Sequence, residues 1–212
     1  MEQILNNHSH IMEVIGAFLT GVVGPILYLI IQKYLLKEKN KGRDIVKENI
    51  ESVSLISNEL DEIREDFAGD RVWISQFHNG GNFYPTGKSI QKFSIFYEVT
   101  KAGISSVAHT FNNIPCSLYP RAFEHMMEGN GIFINDYEDK KVATYGLKEA
   151  GKSVGTKSTY LIPLFTLDEK YLGALGVDFV TKKKRLTKDE WEHLQIKANR
   201  IAGYLSTSLI NN

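Results

Sequence analysis

A long uncharged segment near the N-terminus constrains this chain more than any other feature. The eighteen residues Val14–Ile31 carry no charged side chain, and a helix from Ile11 to Ile31 would be roughly 31 Å long, the thickness of one bilayer core. No Lys or Arg precedes the segment and no small-residue cleavage site ends it, which favours an uncleaved anchor over a signal peptide. We therefore predict a short non-cytoplasmic tail over residues 1–10 and a transmembrane helix over residues 11–36.

The charges on the two sides of this segment predict its orientation. Residues 37–43 form a basic linker, whereas the residues before the uncharged segment carry only the acidic Glu2 and Glu13. Positive charges stay on the cytoplasmic side of a membrane, so the chain is predicted to be a single-pass protein whose C-terminal domain is cytoplasmic and whose first partner is the lipid bilayer. The balance of 25 basic and 25 acidic residues gives no net charge, which argues against a nucleic-acid partner.

Residues 44–212 are predicted to form one domain that begins with a helix over residues 44–67. The pattern is typical of a coiled-coil seam, and also of an amphipathic helix packed on its own domain, and both interpretations stay open. The repeat consists of Val46, Val53, Leu60 and Phe67 at intervals of seven, with Ile56 and Ile63 between them.

The rest of the domain alternates between strand and helix patterns. Strands are predicted at Arg71–Phe77, Ile90–Val99, Gly131–Tyr137, Ser158–Phe165 and Tyr171–Val180. Helices are predicted over Ser117–Glu128 and over residues 186–210, the latter beginning with a capping box of Thr187 and Glu190. This order predicts an α+β fold, with a central, mainly antiparallel sheet flanked by the N- and C-terminal helices.

The segment Gly146–Ser153 matches the phosphate-binding pattern G-x-x-x-x-G-K-[ST] letter by letter. That loop functions only between a buried strand and a helix, and here a polar run precedes the segment and a strand follows it. We therefore interpret it as a polar connection whose glycines permit a turn, with Lys152 as a candidate lid residue over any pocket nearby.

The C-terminal half resembles a known family. The runs STYLIPLF and DEKYLGALGVDF, followed by LTKDEWEHLQIKANRIAGYLSTSL, resemble the closing half of a GAF domain. With the first helix and the strand around Trp73 in their expected places, the resemblance covers Asp44–Leu209. A PAS domain is the nearest competing fold.

The resemblance implies a sensor module. Such a module binds a small molecule between the sheet and the irregular middle segment, and its first and last helices form a dimeric bundle. The Asn-Lys-Phe-Asp-Glu signature of the cyclic-nucleotide-binding members is missing. The single Cys116 does not allow the sulfoxide-reducing cycle of other members. We predict no cofactor.

The candidate ligand-binding residues combine aromatic rings with hydrogen-bonding groups. A plain hairpin turn at Asn79-Gly80 explains part of this pattern equally well. The candidates are His78, Asn79, Tyr84, Cys116, Tyr119 and Arg121. No spacing of His, Cys and acidic residues predicts a metal site or a catalytic group.

A basic run, Lys182-Lys183-Lys184-Arg185, precedes the last helix. It is typical of a solvated loop. If the first and last helices run side by side toward the membrane, the four residues are also candidates for contact with anionic lipid.

Together these patterns predict a non-enzymatic, membrane-anchored sensing or protein-interaction module that forms a homodimer. No output domain is present in the sequence, so a separate output protein is expected. The alternative is a membrane-tethered structural or lysis-type assembly protein without a ligand. An enzyme that uses the His78 region is a third interpretation.

Overall fold

The computed structural model describes residues 16–17, 19–39, 45–83 and 85–210. They fall into two compact units, Met1–Glu48 and Asn49–Asn212.

The first unit contains a π-helical turn, Leu19–Val23, followed by helix α1, Gly24–Lys39. Pro25 lacks an N–H group and its ring crowds the preceding turn, which explains why the helix changes type here. No helix of the described residues is long and apolar enough to cross a bilayer. The predicted transmembrane helix over residues 11–36 is therefore not supported, because α1 has 16 residues and ends in charged residues. Residues 11–15 and 18 of the predicted span lie outside the described part of the chain.

The second unit is built on one antiparallel sheet. Its described strands are ordered β3-β2-β1-β6-β5-β4. Their bounds are β1 Arg71–Asn82, β2 Ser89–Thr100, β3 Ile114–Pro115, β4 Ile132–Ile134, β5 Ser158–Phe165 and β6 Tyr171–Phe179. The predicted α+β fold with a mainly antiparallel sheet and flanking helices is confirmed.

Strand β1 is longer than its sequence pattern predicts. The segment from His78 to Gly81, expected to be a turn, lies within the strand because Asn79 pairs with Gln91 and Asn82 with Ser89 across the hairpin. The turn comes later, where the Gly87 amide donates to the Phe83 carbonyl at 2.8 Å. Cross-strand pairing has overridden local turn propensity.

Helix α2, Ile45–Asp66, packs beside the last helix on one face of the sheet. Most of the predicted heptad seam is buried there against the chain's own core, because Ile56, Leu60, Ile63 and Phe67 are buried with residues of the last helix and of β1. Val53 is 44% exposed, and the side chain of Val46 lies outside the described residues. Packing on the domain itself therefore accounts for the C-terminal half of the seam.

The segment between β2 and β5 covers the other face of the sheet. Its helices are a 3-10 turn, Cys116–Leu118, then α3, Pro120–Met127, and α4, Lys148–Ser153. A second apolar cluster forms there, with Met126, Ile132 and Tyr137 packed on Leu161 and Ala174 of the sheet. The last six residues of the phosphate-loop pattern thus form a short helix, where a polar connection was predicted.

The last helix, α5, Lys188–Ile210, begins with the predicted capping box: the Thr187 amide donates to Glu190 Oε2 at 2.8 Å, and the Glu190 amide donates to Thr187 Oγ1 at 3.2 Å. A charge cluster joins α5 to α2, in which Lys197 and Glu59 are buried and the other members are about half exposed. Lys197 Nζ lies 3.0 Å from Glu62 and 3.1 Å from Asp66, and Arg200 Nη1 contacts both Glu59 oxygens at 3.1 Å. Such a partly exposed cluster adds little net stability compared with apolar packing.

Candidate functional site

A cavity of about 80 Å³ lies between the sheet and the middle segment. Strands β1, β2, β5 and β6 form one side, and α3, α4 and the loop 101–113 form the other. Its walls are mostly aromatic and aliphatic side chains. The aromatic ones are Trp73, Phe93, Phe111, Tyr119, Phe123 and Tyr137.

A buried ion pair closes the sheet side of this cavity. Arg71 Nε and Nη2 each lie 2.9 Å from Asp178 Oδ2, which joins neighbouring strands β1 and β6. The Trp73 indole N–H donates to the same oxygen at 3.1 Å, and the Thr159 hydroxyl donates to Asp178 Oδ1. The carboxylate is therefore charge-compensated and hydrogen-bonded on both oxygens, as a buried charge requires.

The Arg71 guanidinium also donates hydrogen bonds to two groups besides Asp178. Nη2 donates to Thr156 Oγ1 at 2.8 Å, and Nη1 donates to the Ser105 carbonyl at 3.0 Å. Because Ser105 lies in the loop 101–113 and Thr156 follows α4, this one side chain ties two segments of the opposite wall to the sheet. Neither charge of the pair is left for another partner.

Unlike the Arg71–Asp178 pair, two hydroxyl groups of the cavity wall have no hydrogen-bond partner among the side chains of the described residues. Ser75 and Tyr137 are 5% and 4% exposed, and no side-chain hydrogen bond within the described residues involves either hydroxyl. No fully enclosed side-chain polar atom of that part of the chain lacks a partner, so these two hydroxyls face open space. Burial raises the pKa of the Tyr137 phenol, the nearby Asp178 raises it further, and Arg71 offsets part of the change.

Helix α4 is adapted to the Tyr137 ring. A Cβ atom at Gly151 would lie 2.3 Å from Cζ of Tyr137 and 2.7 Å from its hydroxyl oxygen. Only glycine lets the phenol lie this close to the helix backbone. The second glycine of the phosphate-loop pattern is therefore explained by packing, and the helix it belongs to forms a wall of the cavity.

Lys152, the candidate lid residue, is on α4 but its amino group is outside the cavity. Its Nζ lies 2.9 Å from Glu138 Oε1 on the exposed side. The hydrogen bond and the charge of Glu138 raise the pKa of Lys152. Residues Leu147, Ala150, Gly151 and Val154 of this segment line the cavity instead.

The loop 101–113 is held over the cavity by a carboxylate that contacts the middle of the loop. Glu98 accepts hydrogen bonds from the Val107 amide at 2.8 Å, from the Ala108 amide at 3.2 Å and from the Ser106 hydroxyl. These bonds fix Val107, which is buried against the cavity. Further along, the Ile95 amide donates to the Phe111 carbonyl at 2.9 Å.

His78, a candidate ligand residue, supports the C-terminal end of this loop through Ser94 and does not line the cavity. The Ser94 hydroxyl donates to Asn112 Oδ1 at 3.0 Å and accepts from the Asn113 amide at 2.8 Å. His78 Nε2 lies 2.8 Å from the same hydroxyl. Since the single Ser94 proton is used on Asn112, His78 donates its Nε2–H in this arrangement.

The other candidates are dispersed. Tyr119 lines the cavity. Asn79 accepts a hydrogen bond from Ser89 across the hairpin. Cys116 is half-buried, burial raises its pKa, and it is not part of the cavity wall. Arg121 is exposed on α3, and Tyr84 lies outside the described residues.

The four residues of the basic run before α5 differ in their contacts. Lys184 Nζ donates to the Phe67 carbonyl at the end of α2 at 2.7 Å and lies 2.9 Å from Glu190. Lys183 Nζ lies 2.5 Å from Asp136. Both therefore have contacts within the domain, whereas Lys182 and Arg185 take part in no ion pair of the described residues.

Sequence reasoning missed Arg71, Asp178, Ser75 and Tyr137. One signal was available, because Asp178 interrupts an otherwise apolar strand, YLGALGVDF, and a charge in such a position needs a partner. The pairing with Arg71, 107 positions away, was not visible. No group of His, Cys, Asp and Glu that could hold a metal occurs in the described part of the chain.

Comparison with solved structures identifies the fold as that of GAF domains. A phycocyanobilin-bound GAF domain of a cyanobacterial phytochrome is 20% identical, with a TM-score of 0.61 and coverage of 79% of this chain and 91% of that one. A Synechocystis GAF domain in its photoproduct state is 17% identical, with a TM-score of 0.57 over 74% and 96%. The blue-light-absorbing PixJ GAF domain of Thermosynechococcus elongatus is 14% identical, with a TM-score of 0.58 over 77% and 94%.

No protein-family model matches the chain, and no curated protein matches its sequence. At these identities the structural likeness establishes the fold alone.

The buried ion pair predicts a strong effect of a small substitution. Asp178→Asn leaves the Arg71 guanidinium buried without a counter-charge, so the free energy of unfolding is expected to fall by about 3 kcal/mol or more. Asp136→Asn removes the half-exposed pair with Lys183 and should cost less than about 1 kcal/mol. Urea denaturation of the full chain and both variants provides the comparison. Similar small losses in the two variants would contradict the role given to Arg71–Asp178.

Proposed function

We propose that the second unit is a non-enzymatic GAF-like sensing module that binds a small molecule in the cavity. The observation that carries this proposal is that Ser75 and Tyr137, two buried residues of the cavity wall, have hydroxyls that are not enclosed and that make no side-chain hydrogen bond among the described residues. Buried polar groups almost always have a hydrogen-bond partner. Apolar walls with a few convergent polar groups are also the usual composition of a ligand site.

The size of the cavity favours a ligand smaller than those named for two of the related structures. One is a phycocyanobilin-bound domain and another carries phycoerythrobilin. The cavity here, at about 80 Å³, is well below the roughly 300–1,000 Å³ of pockets for drug-sized ligands. Cys116, the only cysteine available for covalent attachment, does not line it.

Strand β1 supplies a short route from the cavity to the helices. Trp73 and Ser75 line the cavity, while Val72 and Ile74, which alternate with them, pack in the core with α2 and α5. In the proposed mechanism, ligand binding changes the packing of these two helices, which the Lys197 charge cluster links. The signal then passes to a separate output protein.

A test of this proposal uses one residue of the cavity wall. Ala150→Leu adds three carbon atoms to the cavity side of α4, and Ala102→Leu adds the same atoms at an exposed turn. Native mass spectrometry of the full chain is expected to show a bound small molecule in the parent and in Ala102→Leu, and none in Ala150→Leu. A parent chain that carries no small molecule, natively or after solvent extraction, would instead support a ligand-free assembly role.

We also propose that the module is a homodimer through the N-terminal half of α2. The apolar stripe that is buried at Leu60 continues toward the N-terminus as Ile50 and Val53, which are 61% and 44% exposed. A second copy of the same helix would remove these side chains from water. This proposal combines the two interpretations of the heptad pattern: packing on the domain for its second half and dimer contact for its first.

The dimer proposal predicts different outcomes for two faces of one helix. Ile50→Lys with Val53→Lys should convert the full chain to a monomer, whereas Leu55→Lys, on the opposite side of α2 and also exposed, should leave the dimer intact. Light scattering of the purified proteins in mild detergent measures the mass. A monomeric parent, or a dimer that persists in the double variant, would refute the contact.

Membrane anchoring through residues 11–36 is proposed from the sequence alone. Its support is the uncharged segment Val14–Ile31 and the excess of positive charge after it. After expression of the full chain, alkaline carbonate washing should leave the protein in the membrane pellet, and deletion of residues 11–36 should release it. Release of the full chain by the wash would rule out a spanning anchor.

A further inference from the structure

We infer that the cavity selects uncharged, ring-shaped molecules that carry a single hydroxyl or carbonyl group, the chemical class of a simple phenol. This inference rests on the proposed function and specifies the ligand of the same site. It follows from three properties of the cavity: the balance of charge around it, the arrangement of its aromatic walls and the two hydroxyls without partners.

The balance of charge excludes ions. The charged side chain among the lining residues is Asp178, and Arg71 behind it supplies the opposite charge at 2.9 Å. All three guanidinium nitrogens already donate to protein groups, on Asp178, Thr156 and Ser105, and Arg71 is not among the residues that line the cavity. A cation would have to compete with Arg71 for a carboxylate that already accepts hydrogen bonds on both oxygens. A carboxylate, phosphate or ammonium ligand would therefore lose its hydration without gaining a counter-charge.

The aromatic walls favour a flat ring. Phe93 makes edge contacts with Phe123 and Tyr119, at centroid distances of 5.4 and 6.0 Å. Trp73 is fixed in orientation by its hydrogen bond to Asp178. Aromatic rings attract one another beyond the effect of the buried area, in stacked or edge-to-face geometry. A planar ring among these side chains has such partners on more than one side.

The hydroxyls of Ser75 and Tyr137 define the polar part of the ligand. Each group can donate one hydrogen bond and accept others, so a ligand hydroxyl or carbonyl can bind either of them. Tyr137 stays protonated near neutral pH because its surroundings raise its pKa, and it therefore acts as a donor to a ligand oxygen. A pure hydrocarbon would fill the walls but would leave both hydroxyls without a partner.

The cavity must widen somewhat for a six-membered ring. A cavity of roughly 150 Å³ binds benzene, and this one measures about 80 Å³. With six residues, α4 is the shorter of the two helices in the wall, and Leu147 and Val154 at its ends are half-buried. A small outward movement of this segment, which contains the proposed lid residue Lys152, provides the additional space.

Three small probes of similar size test the inference on the full chain: phenol, toluene and benzoate. At pH 7 phenol is neutral and benzoate is ionised, as for the Tyr phenol and for carboxyl groups. We expect phenol to bind at least about tenfold more tightly than benzoate and at least about threefold more tightly than toluene. Calorimetry or ligand-observed NMR measures the three affinities. Ala150→Leu should weaken phenol and toluene together, which places both probes in the cavity.

A pair of substitutions isolates the hydroxyls. In the double variant that combines Tyr137→Phe with Ser75→Ala, phenol and toluene should bind with about equal affinity. The affinity for toluene should change by less than about threefold. Tyr204→Phe removes a tyrosine hydroxyl from α5, outside the cavity, and should leave all three affinities unchanged. If the double variant fails to fold, each single variant gives the same comparison with part of the effect.

The outcomes separate this inference from the proposed function. Benzoate that binds as tightly as phenol, or a phenol preference that survives the loss of both hydroxyls, overturns the inference. If the molecule that co-purifies with the chain is an ion and is lost in Ala150→Leu, the inference is wrong while the sensing function stands. If neither a co-purified molecule nor any of the three probes binds, both are wrong.

Discussion

The ion pair between Arg71 and Asp178 is the interaction on which the rest of the structure depends. It joins the central strands β1 and β6, and through Thr156 and Ser105 it fixes the segments that surround the cavity. Such a pair is costly to bury and is tolerated only when every polar atom is satisfied. Because the two charges compensate each other behind the cavity, the pair is the basis for proposing an uncharged ligand.

The sheet separates two cores with different properties. On one face, α2 and α5 bury mostly aliphatic residues, and the Lys197 cluster links the two helices. On the other face, irregular segments enclose a cavity and are held by single side chains such as Glu98 and Ser94. Strand β1 contributes alternate residues to both faces, so it connects the cavity wall directly with the core under the helices.

The repeating patterns of the sequence predicted the fold well because periodicity follows from burial on one face of an element. The strands around Ile74, Leu161 and Leu175 and the capped last helix were all visible in this way. The candidate site was predicted poorly. His78 and Asn79 have the residue types of a ligand loop, but pairing across the β1–β2 hairpin fixes them in positions where they hold the hairpin and the loop 101–113.

The sequence by itself determined the order of the helices and strands, the antiparallel class of the sheet and the N-terminal apolar segment, since each depends on the spacing of neighbouring side chains. Only the tertiary structure decided which residues surround the cavity. Arg71 and Asp178 are 107 positions apart, and Ser75 and Tyr137 come from a strand and a loop with no common local pattern. Their meeting follows from the way the sheet and the middle segment pack, and no local spacing encodes it.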